Sequence, residues 1–281
     1  MKAVPICSFL CLLPACGDAS KSTTSGSTTY TDGAWTHGRQ LTVAGRARSY
    51  SLYVPTTGQT SGLMVALHGS GETVDRMITG IAAESVAEEN GVIVAVPAGI
   101  DQGWNDEEPP SEWLADDVGF IDALVAEIKT DHASLPHDRV FAHGFSNGGG
   151  LAVRLACESE QIRGVGVVGN YYVSIFEACS EARDFSMPGW FGAGLEDEVV
   201  PVESIRSAMS SYAADLTNCS DTGTLQIIEV EGASDDVVCK QFPGCNDVRL
   251  CEYAHRGHEV LPGSFEAAWS FLSSRSDSST D

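Results

Sequence analysis

Apolar runs of strand length alternate along this chain with stretches of helical periodicity. RSYSLYVP (48–55) alternates apolar and polar positions, which predicts a strand with one solvated face. GLMVALHG (62–69) and GVIVAVPAG (91–99) are continuous apolar runs, the pattern of parallel strands buried on both faces. Residues 76–89 between them are amphipathic and predict one helix. In DDVGFIDALVAEIKTDH (116–132), Val118, Ile121, Leu124, Val125 and Ile128 share one helical face, and Asp116 suits the positive end of the dipole. RVFAHG then predicts a strand, SNGGGLAVRLACE a helix and RGVGVVGN another strand. MPGWFGAG (187–194), a helix near 203–216, LQIIEVEG (225–232) and a helix at 264–273 complete the pattern. This rhythm implies an α/β fold, a mostly parallel central sheet with helices on both faces. GVGVVG (164–169) matches a dinucleotide-binding pattern, but its glycines are interleaved with the valines of a strand and no helix follows.

The ends of the chain read differently. Lys2, an apolar run to Leu13 and a small residue at Ala15 predict a signal peptide over 1–15. Cys16 follows Leu13-Pro14-Ala15, which is similar to a bacterial lipobox, so lipidation of Cys16 is the expectation and plain secretion the alternative. Residues 16–35 carry that cysteine and a Ser/Thr-rich tether, 36–273 a single catalytic-size domain, and 274–281 a polar tail. The expected location is the cell envelope, held by the lipid, or the exterior. The formal charge is -23, from 39 acids against 16 bases, which repels phosphate backbones and argues against a nucleic-acid partner. Membrane contact is expected only through the lipid anchor.

Of the nine cysteines, Cys7 and Cys11 leave with the signal and Cys16 is the anchor. The remaining six suit disulfides in an exported protein. Sequence leaves their connectivity open; the expectation is Cys157–Cys179, Cys219–Cys245 and Cys239–Cys251, the last crossing a hairpin at Pro243-Gly244. Cys251, His255 and His258 are closely spaced but fit no familiar zinc pattern, and no metal or organic cofactor is expected.

The chemistry centres on Gly144-Phe145-Ser146-Asn147-Gly148, a G-x-S-x-G between a strand and a helix. Such a turn strains the backbone and lifts the serine Oγ clear of the sheet, and the flanking glycines remove clashing Cβ atoms. A serine hydroxyl needs a base, and the order on such a sheet is serine, acid, histidine. Downstream histidines are His255 and His258; His258, in a loop before the last helix, is the expected base, and His255 is read as structural. Asp197, in LEDEVVP, is the expected acid, with Glu196 and Glu198 as solvated carboxylates. The Asn147 and Ser70 backbone N–H groups are the expected oxyanion donors. His68 and His143 are read as locally hydrogen-bonded. Trp104 and Trp113 flank an acidic, Pro-containing loop and could stack on a substrate ring, or else pack in the core.

RSYSLYVP, LMVALHGSGE, GVIVAVPAG with GWND, ADDVGFIDALV, DRVFAHGFSNGGGLAVRLAC, LEDEVVP and GHEVLPG together resemble the polyhydroxybutyrate depolymerase-like and feruloyl esterase-like α/β-hydrolases, of carbohydrate esterase family 1 type. The resemblance covers nearly all of 45–272 and implies an α/β-hydrolase fold. It implies an exported serine esterase acting on feruloyl or acetyl polysaccharide esters, or on a short polyester. It places the nucleophile on Ser146, the acid on Asp197 and the base on His258. The chain departs from the family at Ala193-Gly194, where His-Gly is frequent, and at Glu259–Gly263, where a Trp-Pro-Gly run is usual. A non-catalytic binding lipoprotein and a peptidase of the same fold are the competing readings.

Overall fold

The computed structural model describes residues 31–106, 115–170, 186–217, 219 and 222–276. The signal peptide, Cys16, most of the tether, Trp113, Cys179 and the end of the polar tail lie outside the described residues.

In chain order the elements are β1 (Trp35–Val43), β2 (Arg46–Tyr53), β3 (Gly62–Leu67), α1 (Val74–Ile81), α2 (Ala83–Asn90), β4 (Val92–Pro97), α3 (Asp117–Asp131), β5 (Val140–Phe145) and α4 (Asn147–Glu158). There follow β6 (Val165–Val168), β7 (Gly189–Gly194), α5 (Val202–Leu216), β8 (Gln226–Ile228), β9 (Val237–Gln241), β10 (Val248–Tyr253) and α6 (Ser264–Ser276). Among the described residues, ten strands form one sheet in the order β1-β2-β4-β3-β5-β6-β7-β10-β9-β8. The six central strands, β4 to β10 in that order, are mutually parallel. Antiparallel pairs flank them, β1 and β2 on one side, β9 and β8 on the other. β3 to β7 are buried along their whole length, as continuous apolar runs require when both faces are covered. One core lies beneath α3, α4 and α5 and a second beneath α1, α2 and α6. The fold is therefore an α/β-hydrolase sheet with helices on both faces.

Three elements depart from the pattern reading. The single helix expected over 76–89 is two, broken at Ala82, whose φ of 44° is left-handed. The break lets Met77 and Ile81 on one helix and Val86 and Ala87 on the other all reach the sheet. β1 was not anticipated, because a register shift between Thr36 and Arg39 breaks its alternation. LQIIEVEG forms only the three-residue β8 at the sheet edge, where Ile227 is 73% exposed. Cys239 and Cys251 stand directly opposite on β9 and β10 and form a disulfide, and Cys219 bonds Cys245. Cys157 is also disulfide-bonded.

Candidate active site

Ser146 occupies the single residue between β5 and α4, with φ 52° and ψ −121°. Few side chains tolerate that backbone, so it persists only because its surroundings determine it. The Ser146 N–H donates to Val168 O at 2.8 Å, and its carbonyl accepts from Asn170 Nδ2 at 2.8 Å and from the Gly150 N–H at 3.1 Å. A Cβ at Gly144 would stand 2.0 Å from Gly148 O, and one at Gly148 would stand 2.3 Å from Leu67 O. Only glycines allow β5, α4 and the end of β3 to converge there.

The serine Oγ lies 2.9 Å from His258 Nε2, and His258 Nδ1 lies 2.8 Å from Asp197 Oδ2. Because a carboxylate only accepts, Nδ1 carries the proton and Nε2 offers its lone pair to the serine O–H. The other Asp197 oxygen accepts the N–H groups of Val199 and Val200 at 2.9 and 2.7 Å, which fixes the carboxylate. The Asp197 side chain is 1% exposed and the His258 side chain 19%, so the carboxylate is sealed while the imidazole opens to the surface. The imidazole is slotted between the Phe145 ring, 4.9 Å away, and Gly169, where a Cβ would come within 3.2 Å of it. Backbone bonds join the loop of Asp197 to the loop of His258: Leu195 N–H to Tyr253 O at 3.0 Å and Glu196 N–H to Arg256 O at 2.8 Å. Gly194 permits this crossing, since a Cβ there would stand 2.4 Å from Arg256 O.

His255 is turned away from this centre, exposed, with Nδ1 3.0 Å from Glu196 Oε1. Cys251 is bonded to Cys239 and so offers no thiolate to either histidine. Ser70 lies in the exposed loop after β3, beside α4. That loop is held in three ways. Gly69 N–H donates to Glu72 Oε2 at 3.1 Å, and Gly71 N–H donates to Gln102 O at 2.8 Å. His68 binds on both sides: its Nε2 accepts from Gly99 N–H at 3.0 Å, which leaves the proton on Nδ1 to donate to Gly69 O at 2.8 Å. Burial lowers the His68 pKa and keeps it in this neutral form.

Asn147, the other expected donor, is clamped by its side chain. Its Oδ1 accepts from Trp104 N–H at 2.7 Å and its Nδ2 donates to Trp104 O at 3.1 Å. Behind the clamp, Asn105 N–H donates to Asp117 Oδ2 at 2.7 Å, and Asp117 Oδ1 pairs with Arg48 Nη2 at 2.7 Å. Both charged side chains of that pair are 3% exposed or less. Arg48 also lies 4.0 Å over the Phe120 ring.

These contacts decide between the two readings of Trp104 and correct that of His143. Trp104 is 5% exposed, its indole N–H donates to His68 O at 2.9 Å and its ring packs on His68, so it is a core residue rather than a stacking platform. His143 is not locally hydrogen-bonded: it is fully buried in β5, against the edge of Phe265, and neither ring nitrogen has a partner among the described residues. Burial accordingly pushes its pKa down to about 4. Sequence reasoning did not single out Asn170, Glu72 or the Arg48–Asp117 pair. The first stands two residues past the end of β6, a position that can be scanned; the pair joins residues 69 apart and left no local signal.

No family model matches the chain. It is 36% identical over 132 residues to NocK of Nocardia uniformis subsp. tsuyamanensis, covering 44% of this chain but only 38% of that protein. It is 27% identical over 242 residues to feruloyl esterase C of Emericella nidulans, covering 80% of this chain and 83% of that one. Among solved structures, the acetyl xylan esterase from Aspergillus awamori superimposes with a TM-score of 0.65 at 15% identity, over 85% of this chain and 99% of that one.

Proposed function

We propose that this feruloyl esterase-like α/β-hydrolase cleaves carboxylic esters through an acyl-enzyme on Ser146. The observation that carries the reading is the unbroken run of contacts from the Ser146 hydroxyl through the His258 imidazole to the Asp197 carboxylate, 2.9 and 2.8 Å. Its similarity to a feruloyl esterase over most of both chains supports the same chemistry.

In this mechanism His258 Nε2 takes the serine proton as Oγ attacks the ester carbonyl. Asp197 holds the tautomer and offsets the charge of the imidazolium. The Ser70 and Asn147 N–H groups receive the oxyanion, where losing one donor typically costs about 3 kcal/mol of transition-state stabilisation. His258 then hands its proton to the departing alcohol. Water, deprotonated by the same imidazole, attacks the acyl-enzyme and restores Ser146. The cross-linked cysteines support action outside the cytoplasm; anchoring through Cys16 belongs to the same proposal.

The test is turnover of p-nitrophenyl acetate by the wild type and by Ser146→Ala. A loss of about a thousandfold or more in kcat is expected. Equal rates would end the reading.

A further inference from the structure

The loop after β3 begins against the first turn of α4. A Cβ at Gly148 would stand 2.5 Å from His68 O, so the two backbones meet there. Of the N–H groups that follow, at Gly69, Ser70, Gly71 and Glu72, all but one are taken. Gly69 N–H donates to Glu72 Oε2 at 3.1 Å, Gly71 N–H to Gln102 O at 2.8 Å and Glu72 N–H to Gly69 O at 3.1 Å. The Ser70 N–H has no acceptor among the described residues. Across from it, the Asn147 N–H is the first of α4 and has no acceptor within its own helix.

The Ser70 amide thus sits in a turn closed by one carboxylate. Glu72 Oε2 holds Gly69, and Glu72 Oε1 accepts from Arg76 Nε at 3.0 Å. The backbone of Arg76 is fixed in turn by Thr73, whose Oγ1 accepts its N–H at 3.3 Å and caps α1. α1 is anchored through the buried Met77 and Ile81. The Glu72 side chain is 15% exposed, whereas that of Arg76 is 75% exposed. The sheltered bond to Gly69 therefore does more than the exposed ion pair, which water and salt weaken. On its other side Gly69 lies against Phe145, whose Cδ1 would be 2.9 Å from a Cβ there, and the Phe145 ring packs on His258. Glu72 and His258 also line one cleft of about 440 Å³, so the turn and the imidazole share a rim.

We infer, on the esterase reading, that Glu72 is a positioning residue: its carboxylate holds the turn at 69–72 so that the Ser70 N–H stays free for the oxyanion. Glu72 itself touches no reacting atom. The oxyanion exists only in the tetrahedral state, so misplacing its donor slows turnover and leaves ground-state binding alone. A carboxamide at this position keeps an acceptor oxygen for Gly69 N–H, and the exposed Arg76 can move aside from its NH₂. A methyl group keeps no acceptor.

The experiment is hydrolysis of p-nitrophenyl acetate by the full-length wild type, Glu72→Gln and Glu72→Ala. Each is also inhibited with butylboronic acid, whose tetrahedral serine adduct puts an oxygen where the oxyanion forms. Glu72→Ala is expected to lower kcat about thirtyfold, less than the hundredfold or more lost with a whole donor, and to keep KM within about twofold. Its boronate Ki should rise by about the same factor, a change that misfolding of part of the sample cannot mimic. Glu72→Gln should stay within about threefold of wild type in kcat. An unchanged kcat or boronate Ki in Glu72→Ala, a loss carried by KM, or equal losses in both variants would overturn the inference while the esterase reading stands. A wild type without turnover would overturn the esterase reading and the inference with it.

Discussion

At the scale of single residues, the turn at Ser146 is the most legible feature of the chain. Its requirements are contiguous: a strand, a strained serine and glycines where backbones come within 2.0 to 2.3 Å of a virtual Cβ. Contiguous constraints leave a contiguous signature. His143 shows the opposite. Nothing adjacent in sequence announces that its ring lies under α6 without a hydrogen-bond partner among the described residues, because the burial comes from packing across the sheet. It has a consequence for stability. An imidazole in the unfolded chain titrates near 6.5, whereas burial holds His143 at about 4 in the fold. Between those values the unfolded chain binds a proton that the native state refuses. Stability is therefore complete above about pH 6.5 and falls as pH drops towards 4, by up to about 3 kcal/mol. Burial lowers His68 and His132 too, so they add to the slope with the same sign. Replacing His143 by Leu should shrink the difference between melting temperatures measured at pH 7 and pH 4.5. An undiminished difference would mean that His143 does not carry the proton linkage.

Among elements, the sheet strands and most helices were readable because burial on two faces or on one helical stripe forces a period on the sequence. Where a third influence intervened, the period misled: α1 and α2 break at Ala82 to follow the sheet, and the bulge in β1 hides its alternation. The loop after β4 owes its shape to the buried Arg48–Asp117 pair, which joins β2 to the start of α3. Asp117 holds Asn105, and the neighbouring Trp104 holds Asn147. Removing one partner of a buried pair strands the other charge, at a cost of about 3–5 kcal/mol. Asp117→Asn should thus lower the melting temperature by roughly 10 °C. It should also lower kcat for each site titrated with a fluorophosphonate, since the Asn147 clamp loosens. A melting temperature within a degree of wild type would show that the pair is not what holds this loop.

For the whole molecule, three loops at the C-terminal ends of parallel strands converge on one rim. β5 delivers Ser146, the loop after β7 brings Asp197, and the loop after β10 brings His258, with backbone bonds tying the last two together. Chain order on such a sheet is what made positions as far apart as Ser146 and His258 readable from sequence, whereas which walls surround them was not, since a cleft is defined by surfaces from unconnected segments. The measurement that tests the account most directly is mass spectrometry of the protein after treatment with a fluorophosphonate. One covalent adduct, mapped to Ser146 and lost in His258→Ala, is the predicted result. An unlabelled wild type, or an adduct on a different residue, would contradict the account.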